Sequence, residues 1–373
     1  MSSSKPIRNI AIIADQLSAG VVTSMMTARL PASSECKFDV LLTENSSLSS
    51  TIYARPNIRH LHQLLQIKEH DLTTLVGGEM VMALPMISHS GQSFMLPFGE
   101  YGVARQGCGF QHYWRRAYET GQVSDLEYYN FAIRLAQSAV AVEQAPVGCP
   151  MVDPGYRFDR VKYGQYLFKL ALKSGQVRYK ALAGPEANGN DQHDVGEMLA
   201  QTKRLYDLVV HVSEGLVSES SGWRKNYIHI CPNAELPGFF LYQVQSAITR
   251  LFEFWPQQSR MTLEAHEYNR RVGAEEQHIS DMQYLCKFGA SGGMSDSLKR
   301  KVDLFRAKGR VAFEDYDVFS SQEWIAALRA SAVDAVGYDR LADRLSVDDI
   351  IEWFKRLDTA MSMQIKHLSV ESS

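Results

Sequence analysis

The sequence has no run approaching the roughly 20 consecutive apolar residues that a membrane-crossing helix needs. Its first apolar run, residues 9–14, is cut off by Asp15, and the preceding MSSSKP leads straight into it. Neither a secretory leader nor a membrane span is expected. A basic excess is also missing: 39 Lys and Arg stand against 42 Asp and Glu, for a formal charge of −3. Without surplus cations to displace counterions, binding to a nucleic-acid backbone is not expected either. The densest basic run, Lys299-Arg300-Lys301, has Asp296 and Asp303 beside it and reads as a solvated helix face. No CxxC pair occurs. Five scattered cysteines, Cys36, Cys108, Cys149, Cys231 and Cys286, suggest reduced thiols in a cytoplasmic protein rather than a disulfide framework. His60 and His62 lie two apart on a helical pattern, a spacing that does not share a helix face, so they form no two-histidine metal site.

What is present is ordinary globular material: 373 residues, 45% hydrophobic and 22% charged, ample for a real core. The organising stretch is residues 7–44. An apolar run stops at a polar turn, a helical pattern follows over 18–30, and a second apolar run, 38–42, ends on Thr43-Glu44. That is the outline of a βαβ dinucleotide-binding unit, with Glu44 where a ribose hydroxyl would be held. The turn departs from it. In place of Gly-x-Gly-x-x-Gly stands Asp15-Gln16-Leu17-Ser18-Ala19-Gly20, which keeps the last glycine alone.

Farther along, Pro56 opens an amphipathic helix, residues 80–88 read as a strand with a turn at Ser90-Gly91-Gln92, and residues 92–98 run back. Gly107-Cys108-Gly109 reads as a loop bend. Asp159 caps a helix that Gly175 ends. Strands are expected at 177–180, 205–212 and 227–231, with a helix near 197–204. From Gly238 the pattern is helical to the end, with Ser259 as an N-cap and a capping box at Ser320-Ser-Gln-Glu323. The fold class is therefore α/β: a Rossmann-like βαβ core over residues 1–237 and a largely helical region over 238–373.

Several stretches together resemble the flavin-dependent tryptophan halogenase family. EYNRRVGAEEQHISDMQYL at 267–285 is similar to that family's E-Y-N-R…E…I-R-D-F-I-L-H-Y helix. GYRFDRVKYGQYLFKLALKSGQV at 155–177, LPFGEYG at 96–102, QSAITRLFEFWP at 245–256 and the segment 295–328 match further family segments in order. The resemblance implies a fold of the FAD-binding type, with FAD as the cofactor if any is bound.

Carried residue by residue, the implied chemistry is interrupted. The family's G-G-G-x-A-G-W falls on residues 15–21, so Leu17 puts a branched side chain, and Asp15 a charge, where a pyrophosphate would lie. Like charges roughly 4 Å apart cost about 1 kcal/mol in water and about 4 at an effective dielectric near 20. The family's G-E-A-T-I-P falls on Thr51-Ile52-Tyr53-Ala54-Arg55-Pro56, which keeps only the proline. The family's catalytic lysine falls on Val81, and no lysine occurs between Lys68 and Lys162. The late flavin motif is reduced to residues 231–238. The substrate-domain insertion with its W-x-W-x-I-P motif is missing near residues 213–226. The expectation is a non-catalytic homologue without a catalytic residue, acting as a binding or partner protein through the surface left by that insertion, toward another protein or a second copy. The alternative is a halogenase- or monooxygenase-type protein that still binds FAD or reduced FAD through an altered phosphate site, with Gly20 and Glu44 as the cofactor-binding residues. A thiol enzyme built on Cys108 and His112 is the third and least supported reading.

Overall fold

The computed structural model describes residues 6–43, 49–180, 192–213, 220–233, 235–256 and 262–371. Strand β1 (Asn9–Ala14) is buried along all but its first residue. Helix α1 (Gln16–Arg29) follows without a loop, and β2 (Lys37–Leu42) returns parallel to β1 in the register Asn9↔Lys37 to Ala14↔Leu42. Burying residues of this kind contributes about 1.5–3 kcal/mol per large aliphatic side chain. The βαβ unit outlined by the sequence is therefore present. It seeds a six-stranded sheet in which Leu208–Val212 lies parallel to β1 on the side away from β2 and Val177–Lys180 extends β2. Tyr227–Ile230 adds parallel to Leu208–Val212, and Gly222–Arg224 closes the far edge antiparallel.

The chain folds into two compact units, and it passes between them more than once. The first is formed by Met1–Glu79 with Tyr156–Gly273, the second by Met80–Gly155 with Ala274–Ser373. The boundary expected at residue 237 is thus displaced. The helix Phe239–Glu253 packs on α1 and on the strand Thr51–Ala54, because its buried Phe239, Phe240, Val244 and Leu251 face that core. Residues 100–150, which carried no sequence assignment, hold the helices Phe110–Tyr118 and Phe131–Gln137 of the second unit. That unit also contains the hairpin Ala83–Ile87/Ser93–Pro97 and the helices Asp296–Lys308, Ser321–Ala330 and Val347–Glu371.

Several boundaries differ from expectation. The strand expected at 205–212 begins at Leu208, since the preceding helix runs Gln192–Leu205 and ends on Leu205, leaving Tyr206 and Asp207 as the connection. The expected strand 80–88 is broken at Met82 into Glu79–Val81 and Ala83–Ile87. The connection 213–226 contains the short strand Gly222–Arg224. Ser259 lies outside the described residues. The capping box at Ser320 forms with both reciprocal hydrogen bonds. Lys299 and Arg300 are exposed, as a solvated face requires, whereas Lys301 departs from that reading. It is fully buried, with Nζ 3.0 Å from Glu314 and 3.2 Å from Asp317, because burying its charge requires paired carboxylates.

The tightest contact in the first unit joins α1 to the helix Arg160–Leu172. A Cβ on Gly20 would lie 2.6 Å from the Gly164 carbonyl oxygen, and one on Gly164 would lie 2.8 Å from the Leu17 Cα. Backbone meets backbone there, so neither neighbour can swing aside. Gly273, inside the helix Thr262–Phe288, faces open space instead. Nearby in the first unit, His62 is 5% exposed, hydrogen-bonds the Tyr163 hydroxyl at 3.0 Å and lies edge-on to Tyr156 and Phe158. Burial, helped by the charge of Arg59, pulls its imidazole down to about 4.

Two outcomes follow from this packing. Gly164→Ala is expected to destabilise the protein by about 1–3 kcal/mol through overpacking, whereas Gly273→Ala gains about 0.5–1 kcal/mol from helix propensity. Paired urea melts read both. His62 is neutral when folded and has a depressed pKa, so the unfolded chain binds the proton more tightly. Stability is therefore complete above the unfolded value of 6.5 and falls as pH drops toward about 4. The loss is on the order of 3 kcal/mol, and His62→Phe flattens that part of the pH profile in the same melts.

Candidate functional site

The sheet changes winding direction between β1 and Leu208–Val212, the point where ligands bind in open α/β sheets. The turn leaving β1 is therefore where a site is sought. Asp15 occupies it in an extended conformation and caps α1, its Oδ1 accepting the Ser18 amide hydrogen bond at 2.9 Å. Its other oxygen accepts from an Arg160 Nη at 3.0 Å. Both side chains are buried, at 8% and 6% exposure, and the guanidinium also lies over the Phe240 ring at 4.8 Å. The positive end of α1 thus already holds an anion, the chain's own carboxylate, with a cation bound to it.

The other residues of the turn face inward. Leu17 is 2% exposed. Gly20 has its bare side filled by Gly164, so its missing Cβ serves helix packing, the task of the third glycine in a dinucleotide fingerprint. The Ser18 hydroxyl is buried and has no hydrogen-bond partner among the described residues. Thr43 continues the parallel pairing, its amide donating to the Ala14 carbonyl at 2.9 Å. Glu44 lies outside the described residues.

The remaining positions singled out from the sequence are dispersed. Thr51–Ala54 is a strand antiparallel to Gly155–Asp159. It delivers Arg55 into the interior, where the guanidinium lies 4.5 Å over Phe239 and 5.8 Å from the Tyr242 ring. Gly238 adopts φ +82° to start the helix Phe239–Glu253, while Asn233 accepts the amides of Glu235 and Leu236 in the turn before it. Val81 ends a three-residue strand, half-buried, with no group to carry or donate a proton.

The Cys108–His112 pairing does not form. Cys108 Sγ reaches the Gly109 carbonyl at 3.8 Å and His112 Nε2 the Gln111 amide at 3.3 Å. Burial, with the charge of Asp339 beside it, pushes the Cys108 thiol up, away from the thiolate a nucleophile requires. Among the described residues no group of three or more His, Cys, Asp or Glu is arranged to hold a metal, and no helix is long and apolar enough to cross a membrane.

Sequence reasoning did not find Arg160 or Arg55. Asp15 and Arg160 are 145 positions apart, and no local pattern links them. A buried acid was also missed. Asp39 on β2 is held by Arg178 at 2.8 Å, Lys180 at 2.7 Å and the Tyr206 hydroxyl at 2.7 Å. Burial pushes its carboxyl up, but the hydrogen bonds from Lys180 and Tyr206 and the two cationic charges outweigh this and hold it low.

Comparison with known proteins agrees with this architecture. Solved structures align over nearly the whole chain. BrvH, a flavin-dependent halogenase from Brevundimonas sp. BAL3, matches with a TM-score of 0.79 at 15% identity over 97% of each chain. Xcc4156, a flavin-dependent halogenase from Xanthomonas campestris, gives 0.79 at 15% identity, over 97% of this chain and 96% of its own. The tryptophan 6-halogenase SttH from Streptomyces toxytricini gives 0.71 at 10% identity, over 96% and 97%. At such identities the likeness speaks for the fold. No curated protein matches the sequence. The tryptophan halogenase family model matches residues 19–213 and 218–347. With most of its length covered by that family and its fold shared with flavin-dependent halogenases, the chain belongs to the tryptophan halogenase family.

Proposed function

We propose that this chain is a non-catalytic member of the family, a pseudoenzyme that works by binding a partner rather than by halogenating a substrate. The observation that carries this reading is the Asp15–Arg160 pair. Asp15 takes the Ser18 amide at the N-terminus of α1 and fills the place of an anion with a buried, neutralised carboxylate. The obstacle to a pyrophosphate is occupancy more than bare repulsion, since Arg160 cancels most of the charge that Asp15 would show a ligand. A dinucleotide would have to displace a buried ion pair, and breaking such a pair costs about 3–5 kcal/mol. The residues of this turn do not fit FAD.

Two features support the same reading. Arg55 is stacked on Phe239 where the resemblance places a flavin-contacting segment. Val81 stands at the position of the catalytic lysine, and no lysine lies between Lys68 and Lys162 to take its role. The partner is a protein, either another chain or a second copy of this one, docking beside the short connection at residues 213–226. One observation favours the second reading, binding of FAD or reduced FAD through an altered phosphate site. The Ser18 hydroxyl, buried in the first turn of α1, has no partner among the described residues and is a donor that a phosphate oxygen would satisfy.

The purified protein is expected to carry no visible flavin absorbance and to give no saturable signal when titrated with oxidised or reduced FAD. Micromolar binding of either form would sink the proposal. Arg160→Met is expected to lower stability by about 3–5 kcal/mol, and Arg160→Met with Asp15→Asn to recover part of it. Urea melts of the two variants measure that coupling. The exchange Asp15→Gly with Leu17→Gly tests whether the turn alone excludes FAD, by whether it creates binding. Size exclusion with light scattering reads self-association, and a monomer at high concentration removes the second copy as the partner.

A further inference from the structure

The second unit contains a cavity of about 870 Å³ that the halogenase reading leaves unused. That volume lies inside the range of roughly 300–1,000 Å³ typical of small-molecule sites. Met86, Phe94 and Met95 from the hairpin and Ile133 from Phe131–Gln137 give it an apolar lining, and Ala326 and Ala330 leave room on the opposite side. It lies toward the hairpin tip, where Ile87 pairs with Ser93. Val81 leads into the other end, where Ala83 pairs with Pro97, and Pro85, the lining residue nearest to Val81 in the strand, is four positions further on, roughly 13 Å along the chain. The cavity is therefore distinct from the family's lysine position.

Its charged lining is unbalanced. Arg329 is the one cation among the residues that line it. The guanidinium is fully engaged: Nε donates to Glu127 at 2.9 Å, one Nη to Asp334 at 3.0 Å, and the other lies 3.7 Å from Asp125, while its plane rests 4.6 Å over Trp114. Three carboxylates thus surround one cation, and Asp125, at 66% exposure, faces solvent with the Tyr118 hydroxyl donating to it. The Tyr101 hydroxyl, in a residue 2% exposed, has no hydrogen-bond partner among the described residues. Burial and the charge of Glu127 keep it a neutral phenol, so it adds no charge.

We propose that this cavity binds a small organic cation, a primary ammonium carried on an aromatic or aliphatic body. The body would lie against Met86, Phe94, Met95 and Ile133, and the ammonium would meet Asp125 and Glu127. An anion would face two carboxylates that share a single cation. A neutral molecule would gain the apolar contact alone. The inference does not depend on whether flavin binds, because it uses none of the residues at the α1 turn.

The test uses the full chain and three probes with the same ring: phenethylammonium, phenethyl alcohol and hydrocinnamate, titrated calorimetrically. Phenethylammonium is expected to bind about tenfold more tightly than the alcohol, with affinity falling as salt is raised, and hydrocinnamate not to bind. Asp125→Asn, at an exposed position that leaves the core intact, is expected to weaken the ammonium about three- to tenfold and leave the alcohol unchanged. Ser93→Trp, at the exposed rim, should exclude both. Methyl signals of labelled Met86 and Met95 should shift on titration in the parent protein. Equal affinity for the three probes, no binding of phenethylammonium, or binding that survives both substitutions unchanged would overturn the proposal.

Discussion

The first unit depends on how closely α1 approaches the helix Arg160–Leu172. Gly20 and Gly164 remove the side chains that would hold the two backbones apart, and a Cβ at either position meets main-chain atoms at 2.6–2.8 Å. That approach sets the start of both helices side by side, so Asp15, at the cap of one, reaches Arg160, in the first turn of the other. The ion pair is thus a consequence of the packing. Once formed in a buried place, it resists loss of either partner, because the group left behind would be a charge without solvent. The turn that shapes a cofactor site in a dinucleotide-binding fold here joins two helices.

Much of what makes the chain look like its family serves the scaffold in the same sense. In the motif at 267–285, Asn269 does the work of a neighbouring strand. Its Oδ1 accepts the Trp223 amide at 2.6 Å and its Nδ2 donates to the Trp223 carbonyl at 3.0 Å, satisfying the edge of the sheet. Tyr268 stands edge-on to the Trp223 ring. Glu267 is gripped by Arg270 and Arg271, whose hydrogen bonds draw its carboxyl down to about 2. In the second unit the segment around Lys301 ties Asp296–Lys308 to Glu314 and Asp317, and Trp324 donates to Asp317 as well. These groups preserve a fold whether or not chemistry takes place on it, which is how a family likeness can span the chain while the turn after β1 departs from it.

The division of labour between the units follows the same logic. In the first, the buried charges Asp15 and Asp39 are each matched by cations. In the second, carboxylates outnumber cations at the open cavity around Arg329, and there the surplus borders solvent. Matched charge inside a core holds it together, whereas unmatched charge at the mouth of an apolar cavity is a feature a ligand can use.

The sequence by itself determined the elements whose signals are local. The apolar run and parallel return of β1 and β2, the Asp159 cap, the Gly175 stop and the Ser320–Glu323 capping box all appear as read, because each depends on residues within a few positions of one another. It also carried the family, through motifs in order along the chain. Only the tertiary structure decided what Asp15 and Gly20 do. Read alone, they were a misplaced charge and a surviving phosphate-loop glycine. Folded, they are half of an ion pair and half of a helix contact, with partners at Arg160 and Gly164 that no periodicity in the chain links to them. Lys301 shows the same limit, since three basic residues in a row look solvated until Glu314 and Asp317 are folded onto the last of them. Local signals set elements because backbone hydrogen bonds and caps act over a few residues. The fate of a charge is set by what else is buried beside it, and that is a property of the packed chain.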